Sequence, residues 1–472
     1  MLVRGKRFLS SFFIDIALLA ISIVLEVPLF LTLAIMLWVI GVEYAVSDLK
    51  NRAAFLLFLI SFFVFLLGSE VAVHFLGYPE EYKFSIEINN HAYICLCISL
   101  IGLIIGFQFA SSFIIGKRRM HNSTSSSTNQ RVVTVAKYGM LITFIPYLAE
   151  AIVSGIYVLR NGYLAYYVSY SSSLPGLVTQ LSEFFTLFLF LFLATMPKKK
   201  DTYPFIGVYL IHGIVMLLTG RRLYFGMAIF MLAAYFLIRH NRDQQEKWIT
   251  NRLRFVVIIG VPVIVILLYA YKYVRYDLDV IGSGYLDLFI RFFNQQGISV
   301  NVIKYAKQYG GEELGTTSLY YTLKYLRSGV LTRWIYNFPV EYYKMRTAAS
   351  AYHTNSMADF IMYNYSSYQY AKGYGLGTSY IAELYHDGGY ITLFLGSIFY
   401  GWLMARLFSL RSENVWRYTL AFMMLEQFMI LPRYGADAIL RPFYNLTKII
   451  IFIAIYLGVN YVGRSRSVER LE

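Results

Sequence analysis

The residues of this chain best suited to chemistry are a set of arginines and one short acidic segment. Arg221 and Arg222 stand side by side in "MLLTGRRLYFGM" (residues 216–227), interrupting a long apolar stretch. A guanidinium is always charged, and its planar fork of N–H donors matches phosphate oxygens. Arg160 in "VLRNGYLAYY", Arg275 in "YKYVRYD", and Arg433 and Arg441 in "PRYGADAILRP" also lie at or near the ends of apolar segments. As a set they suit an anionic group at a membrane interface. Taken singly, each could also snorkel to lipid headgroups or pair with an acid.

The acidic segment is "GYGLGTSYIAELYHDGGYITLFLGSIFYGWLMARL", residues 373–407. Glycines open it, a helical stretch follows, "DGG" breaks it, and an apolar helix resumes. Glu383 and His386 are three apart and share a helix face. Glu383 sits in the otherwise apolar turn "YIAELY". A carboxylate partly withdrawn from water holds its proton more tightly and can serve as a base. The same residue could instead pair with an arginine and lock one segment onto another. His386 could shuttle a proton or cap the helix end.

Two weaker patterns remain. Asp277 and Asp279 in "YDLDV" could hold a divalent metal beside a diphosphate, but the pattern is short and has no obvious second acidic partner, so no metal is expected. "AYHTNSMADF" carries His353, Asn355, Ser356 and Asp359, which could hydrogen-bond sugar hydroxyls, with nearby tyrosines such as Tyr380 offering ring faces for stacking. The alternative for this stretch is a tyrosine-rich loop core. There is no Gly-rich nucleotide loop, no serine-nucleophile elbow and no Cys/His zinc spacing. ATP-driven and nicotinamide chemistry are therefore not expected, nor is any cofactor.

The elements that must position these residues follow from composition. The chain has 472 residues, 58% hydrophobic and 15% charged. A soluble protein would carry about a quarter charged residues. About twelve apolar segments follow one another, each long enough to cross roughly 30 Å of hydrocarbon. They lie near 8–25, 27–46, 53–76, 92–115, 132–158, 177–196, 202–219, 223–239, 254–271, 389–409, 418–432 and 443–462. The first has the charge and apolar run of a signal peptide but no small-residue cleavage site, so it reads as an uncleaved helix. Cys95 and Cys97 point about 200° apart on a helix and neither bridge nor share a metal. The expected fold is all-α, a polytopic membrane protein built as a single domain over 1–472.

Orientation comes from charge. One alternating set of short connectors holds about 23 Lys and Arg and the other about six, which places both termini in the cytoplasm. The net charge of +15 belongs to this asymmetry, and no nucleic-acid partner is expected. One outer connector, 273–388, is very long, and about half of the 43 tyrosines lie in or next to it. Its rings argue against disorder and for short amphipathic helices.

With these features in place, the chain resembles the O-antigen and capsular repeat-unit polymerases, the Wzy proteins. About twelve spans, one large outer loop late in the chain, "GTSYIAELYHDGGY" entering the next helix, and "TGRRLYF" after the seventh span carry the likeness. The resemblance implies a GT-C-like membrane glycosyltransferase of the bacterial inner membrane. It would act with inversion on oligosaccharide repeats linked through diphosphate to undecaprenol. The growing chain would pass from its carrier to a newly flipped unit, with a separate protein setting chain length. Arg221 and Arg222 would then bind the carrier diphosphate, with Arg275, Arg433 and Arg441 as further candidates and Arg160 behind them. Glu383 or His386 would draw the acceptor proton, and the outer loop would read the sugars. Two neighbours in function share parts of this layout. A lipid-linked oligosaccharide flippase would need charges lining a central cavity. An O-antigen ligase would share fold and chemistry, and the "IAELYHDGG" segment favours the polymerase.

Overall fold

The computed structural model describes residues 14–80, 82–116, 126–242, 246–276, 284–311, 313–329, 332–408 and 414–468, which are helical with no β-strand among them. The first helices are α1 (Ile14–Val24), α2 (Leu29–Val46), α3 (Leu49–Phe62), α4 (Gly68–Leu76) and α5 (Ile86–Gly116), with a π turn at Phe63–Leu67 between α3 and α4. Then follow α6 (Ser126–Asn161), α7 (Tyr163–Ser169), α8 (Gly176–Ala194), α9 (Lys199–Leu218), α10 (Arg222–Arg242) and α11 (Asn251–Tyr276). Seven short helices come next: α12 (Tyr285–Gly297), α13 (Val300–Tyr309), α14 (Tyr320–Ser328), α15 (Arg333–Tyr336), α16 (Ala348–His353), α17 (Met357–Tyr365) and α18 (Ser367–Ala371). The chain closes with α19 (Tyr380–Phe408), α20 (Val415–Phe428), two 3₁₀ turns at Leu431–Arg433 and Ala436–Phe443, and α21 (Leu446–Val468).

Each of the twelve apolar segments expected from the sequence carries a helix. Among the described residues, seven stretches are long and apolar enough to cross a membrane: Leu29–Val46, Leu49–Leu76, Ile86–Ser111, Asn129–Asn161, Gly176–Ala194, Arg222–Asn241 and Tyr380–Phe408. The pair Ala436–Phe443 and Leu446–Tyr461, bent by 59°, brings the number to eight. With 14 residues, α20 is shorter than the about 20 that a straight crossing needs.

The contacts divide the chain into two compact units. The first comprises 1–116, 249–406 and 430–437. Within it α2 packs on α3 and α5, α12 on α4 and α11, and α13 on α5 and α17. Two of the short helices of the long connector, α12 and α13, are thus folded onto apolar helices of the same unit, and α17 packs on α13. Ser69 on α4 donates to Asn294 Oδ1 on α12 at 2.8 Å. Lys304 on α13 is 1% exposed and meets the 5% exposed Glu70 of α4 at 2.6 Å, where Tyr93 of α5 also donates at 2.5 Å. α5 and α19 cross backbone to backbone. A β-carbon at Gly106 would stand 2.0 Å from the Ile398 carbonyl oxygen, and one at Gly401 2.2 Å from that of Leu103. Small residues at such crossings let membrane helices approach closely.

The second unit comprises 117–248, 407–429 and 438–472. Its centre is α8, whose run from Leu187 through Leu193 is buried save for Phe188. A helix apolar all round needs cover on every side, and α6, α9, α20 and α21 supply it.

Candidate functional site

In the first unit, Glu383 is held at the start of α19. The residue is 1% exposed. Thr378 Oγ1 donates to Oε1 at 2.7 Å, and the Ala436 backbone N–H donates to Oε2 at 2.7 Å. The turn carrying Ala436 can come this close because residue 435 is glycine: a β-carbon there would lie 2.7 Å from Oε1. Tyr400 donates to the Ala436 carbonyl at 2.6 Å and secures the same turn. The backbone then breaks one turn beyond Glu383, as "DGG" led us to expect. Gly389 has φ +67 and ψ −156, a conformation open to glycine alone.

His386 lies one turn along from Glu383 and is half-buried. Its Nε2 stands 2.7 Å from the Leu314 carbonyl oxygen. A carbonyl can only accept, so the neutral ring carries its proton on Nε2 and leaves a lone pair on Nδ1.

Sequence reading missed the segment that ties this locus together, "LGTTSLYYT" at 314–322. Asp387 accepts from the Thr317 and Ser318 N–H groups, both at 2.9 Å, and from their hydroxyls at 3.0 and 2.5 Å. Asp437 accepts from the N–H groups of Tyr321 and Thr322 at 3.2 and 2.7 Å and from Thr322 Oγ1 at 2.8 Å. Those N–H groups belong to the first turn of α14, where a carboxylate satisfies open donors and complements the dipole. Leu314 meets His386, and Gly315 lies against the Asn355 amide, within 2.5 Å of where a β-carbon would sit. A hydroxyl-rich run opening an amphipathic helix, with no local acid to cap it, was the available signal. Asp387 and Asp437 lay inside stretches already singled out for other residues.

The expected sugar readers reach the same locus in part. Arg327, on the last turn of α14, donates to the His353 carbonyl at 3.2 Å and to Asn355 Oδ1 at 2.8 Å. The exposed His353 ring stacks on Tyr342 with centroids 5.9 Å apart. Asn355 adopts φ +60, and Ser356 caps α17 by accepting from the Asp359 N–H. Tyr380 is fully enclosed, and its hydroxyl meets Ser99 Oγ at 2.6 Å, so it seats α19 on α5. Arg433 is exposed, donates to Gln296 Oε1 at 2.8 Å and lies over the Phe65 ring. Arg275 falls on α11, but its side chain lies outside the described residues, as do Asp277 and Asp279.

In the second unit, the "TGRR" turn places Arg221. α9 ends in a paired C-terminal bond pattern: Gly220 N–H to the Leu217 carbonyl and Arg221 N–H to that of Met216, both at 2.9 Å. Gly220 has φ +83, which this ending needs. Arg221 is thereby turned inward, 6% exposed. Its Nε donates to Thr219 Oγ1 at 3.2 Å, Nη1 to the Tyr166 hydroxyl at 2.8 Å and Nη2 to Ser154 Oγ at 2.5 Å. The guanidinium also lies 4.3 Å from the Tyr166 ring centre. Among the described residues every hydrogen-bond partner of this buried cation is a neutral hydroxyl. Three of its five N–H groups are used. Arg222 begins α10 and is half-buried, a cation at the positive end of a helix dipole. Arg160, exposed in the last turn of α6, and Arg441, exposed in a 3₁₀ turn, are also in this unit. For Arg160 the helix end is itself a sufficient reason.

Neither the search of curated proteins nor that of solved structures returned a match. A family model described as O-antigen polysaccharide polymerase Wzy matches residues 7–465, nearly the whole chain.

Proposed function

The chain belongs to the Wzy family of O-antigen polysaccharide polymerases, and from that premise we propose how its residues divide the work. It is a multi-pass protein of the inner membrane that joins lipid-linked oligosaccharide repeat units into polysaccharide. In our reading the donor is the growing chain on undecaprenyl diphosphate, and the acceptor is a hydroxyl at the non-reducing end of a new repeat. The acceptor oxygen attacks the anomeric carbon from the face opposite the diphosphate. The new C–O bond forms as the old one breaks, the configuration inverts, and undecaprenyl diphosphate leaves with the bonding pair.

Arg221 receives the leaving diphosphate. The supporting observation is its charge, buried among hydroxyls with no carboxylate partner among the described residues. Burial of an unpaired charge is costly, and a phosphate supplies the missing partner. An anion that gains charge as the bond breaks is then stabilised more in the transition state than before it. Arg222 adds charge at the same turn, and Arg433, Arg441 and Arg275 stay as secondary candidates. His386 takes the acceptor proton on Nδ1, with Nε2–H held by Leu314. Glu383, its two oxygens engaged by Thr378 and Ala436, positions α19 against the 433–437 turn. His353 and Asn355, held by Arg327, read the acceptor sugars. About twelve crossings in a GT-C-like arrangement, one outer loop at 273–388, both termini in the cytoplasm and a separate chain-length regulator complete the reading. These rest on the Lys and Arg distribution and on the family.

The test is a polysaccharide gel from cells lacking the gene and complemented with Arg221→Ala. Surface glycan capped at a single repeat is the expected result. A wild-type ladder would overturn the diphosphate assignment.

A further inference from the structure

A carboxylate shares a helix face with one of the hydroxyls that Arg221 meets, and its own hydrogen bonds run elsewhere. Glu150 is four residues before Ser154 on α6, on the same helix face, and Ser154 touches Arg221 Nη2. A free carboxylate at that position could reach the guanidinium and occupy its fork. Glu150 is turned elsewhere. Tyr170 donates to Oε1 at 2.9 Å and Ser172 to Oε2 at 2.7 Å. Both donors lie on the connector between α7 and α8. The Tyr170 ring stacks on Tyr166 with centroids 4.7 Å apart, and Tyr166 is the ring and hydroxyl that Arg221 meets. Burial, with the Glu150 carboxylate next, pushes the Tyr170 hydroxyl up to about 12, so it remains a donor at neutral pH.

We propose that Tyr170 and Ser172 are positioning residues that hold Glu150 away from Arg221 and so keep the guanidinium available to the substrate's diphosphate. The assignment rests on the diphosphate reading of Arg221. It explains why, among the described residues, Arg221 pairs with a hydroxyl one helical turn from Glu150 and not with Glu150 itself. It also gives the "YSSS" connector a part in the reaction, although none of its residues touches the reacting atoms.

The experiment uses the full-length protein in nanodiscs, with undecaprenyl diphosphate as the binding probe. Tyr170→Phe/Ser172→Ala frees Glu150 and leaves every Arg221 contact in place. We expect it to weaken binding on the order of tenfold or more, as loss of an anion's cation partner does. Adding Glu150→Gln to the same chain is expected to bring binding back to within about threefold of wild type. A connector with a purely structural role gives no such rescue. Wild-type binding by Tyr170→Phe/Ser172→Ala overturns the proposal, and so does a loss that Glu150→Gln leaves unrepaired. Arg221→Ala that binds the probe like wild type removes the diphosphate reading and this assignment together. Arg221→Ala that fails to bind, alongside an unrepaired triple variant, removes this assignment alone.

Discussion

Glu383 and His386 are three residues apart, and their surroundings give them different parts. Glutamine can replace Glu383 with both contacts kept, because its carbonyl can take the Ala436 N–H while the Thr378 hydroxyl turns to accept. Glu383→Gln is therefore expected to keep most of its activity, whereas Glu383→Ala leaves a buried N–H unpaired, at a cost of about 1–3 kcal/mol. A ladder assay on the two variants separates anchor from base: an inactive, well-folded Glu383→Gln would return the base role to Glu383. His386→Ala should lower kcat by about 10²–10⁴-fold with little change in carrier binding. Turnover and undecaprenyl diphosphate binding, measured on one preparation, check it, and near-normal turnover would exclude His386. Glu383 and His386 could be picked out in the sequence because a charge in an apolar turn is locally visible. Asp387 and Asp437 could not be assigned their work. Their targets lie 70 and 115 residues away along the chain, and no local pattern reports such a pairing.

Among the elements, α19 carries the most constraints. It must approach α5 at Gly106 and Gly401, pass Tyr380 to Ser99, and reverse its backbone at Gly389. Gly106→Val has no room for its β-carbon, and we expect loss of the folded protein, read as a fall in monodisperse material on size exclusion. Gly389→Ala forces a side chain into a glycine-only conformation, costing about 1–3 kcal/mol. Its unfolding midpoint should drop while expression persists, and an unchanged midpoint would mean that the turn is free to relax. The helices themselves were readable from hydropathy, because apolar length alone decides where they fall. Their ends and breaks were less so. The π turn at Phe63–Leu67 leaves no mark, since its five residues simply continue the apolar run that ends α3. The "DGG" break was readable because paired glycines after an aspartate interrupt a helix in any setting.

At the scale of the whole molecule, the alternation of Lys and Arg between connectors makes a topological prediction. Alkaline phosphatase fused after Gly311 should be active, and fused after Lys198 or at the C-terminus inactive; the opposite pattern would invert the assigned orientation. The two interleaved compact units were not readable, because hydropathy orders helices along the chain and says nothing about their neighbours in space. One contact within the first unit bears on how the protein is made. Glu70 lies within the candidate span Leu49–Leu76, yet the lysine that neutralises it lies 234 residues later. Early in synthesis, therefore, the emerging chain holds a carboxylate in an apolar helix with its lysine still inside the ribosome or not yet translated. On the proposed orientation, insertion of α4 is provisional until the segment bearing Lys304 has been exported and has folded back. Nascent chains halted before residue 304 should be unusually prone to quality-control proteolysis, and Glu70→Gln should lengthen their lifetime. The order of manufacture thus leaves a vulnerable interval that the finished structure conceals.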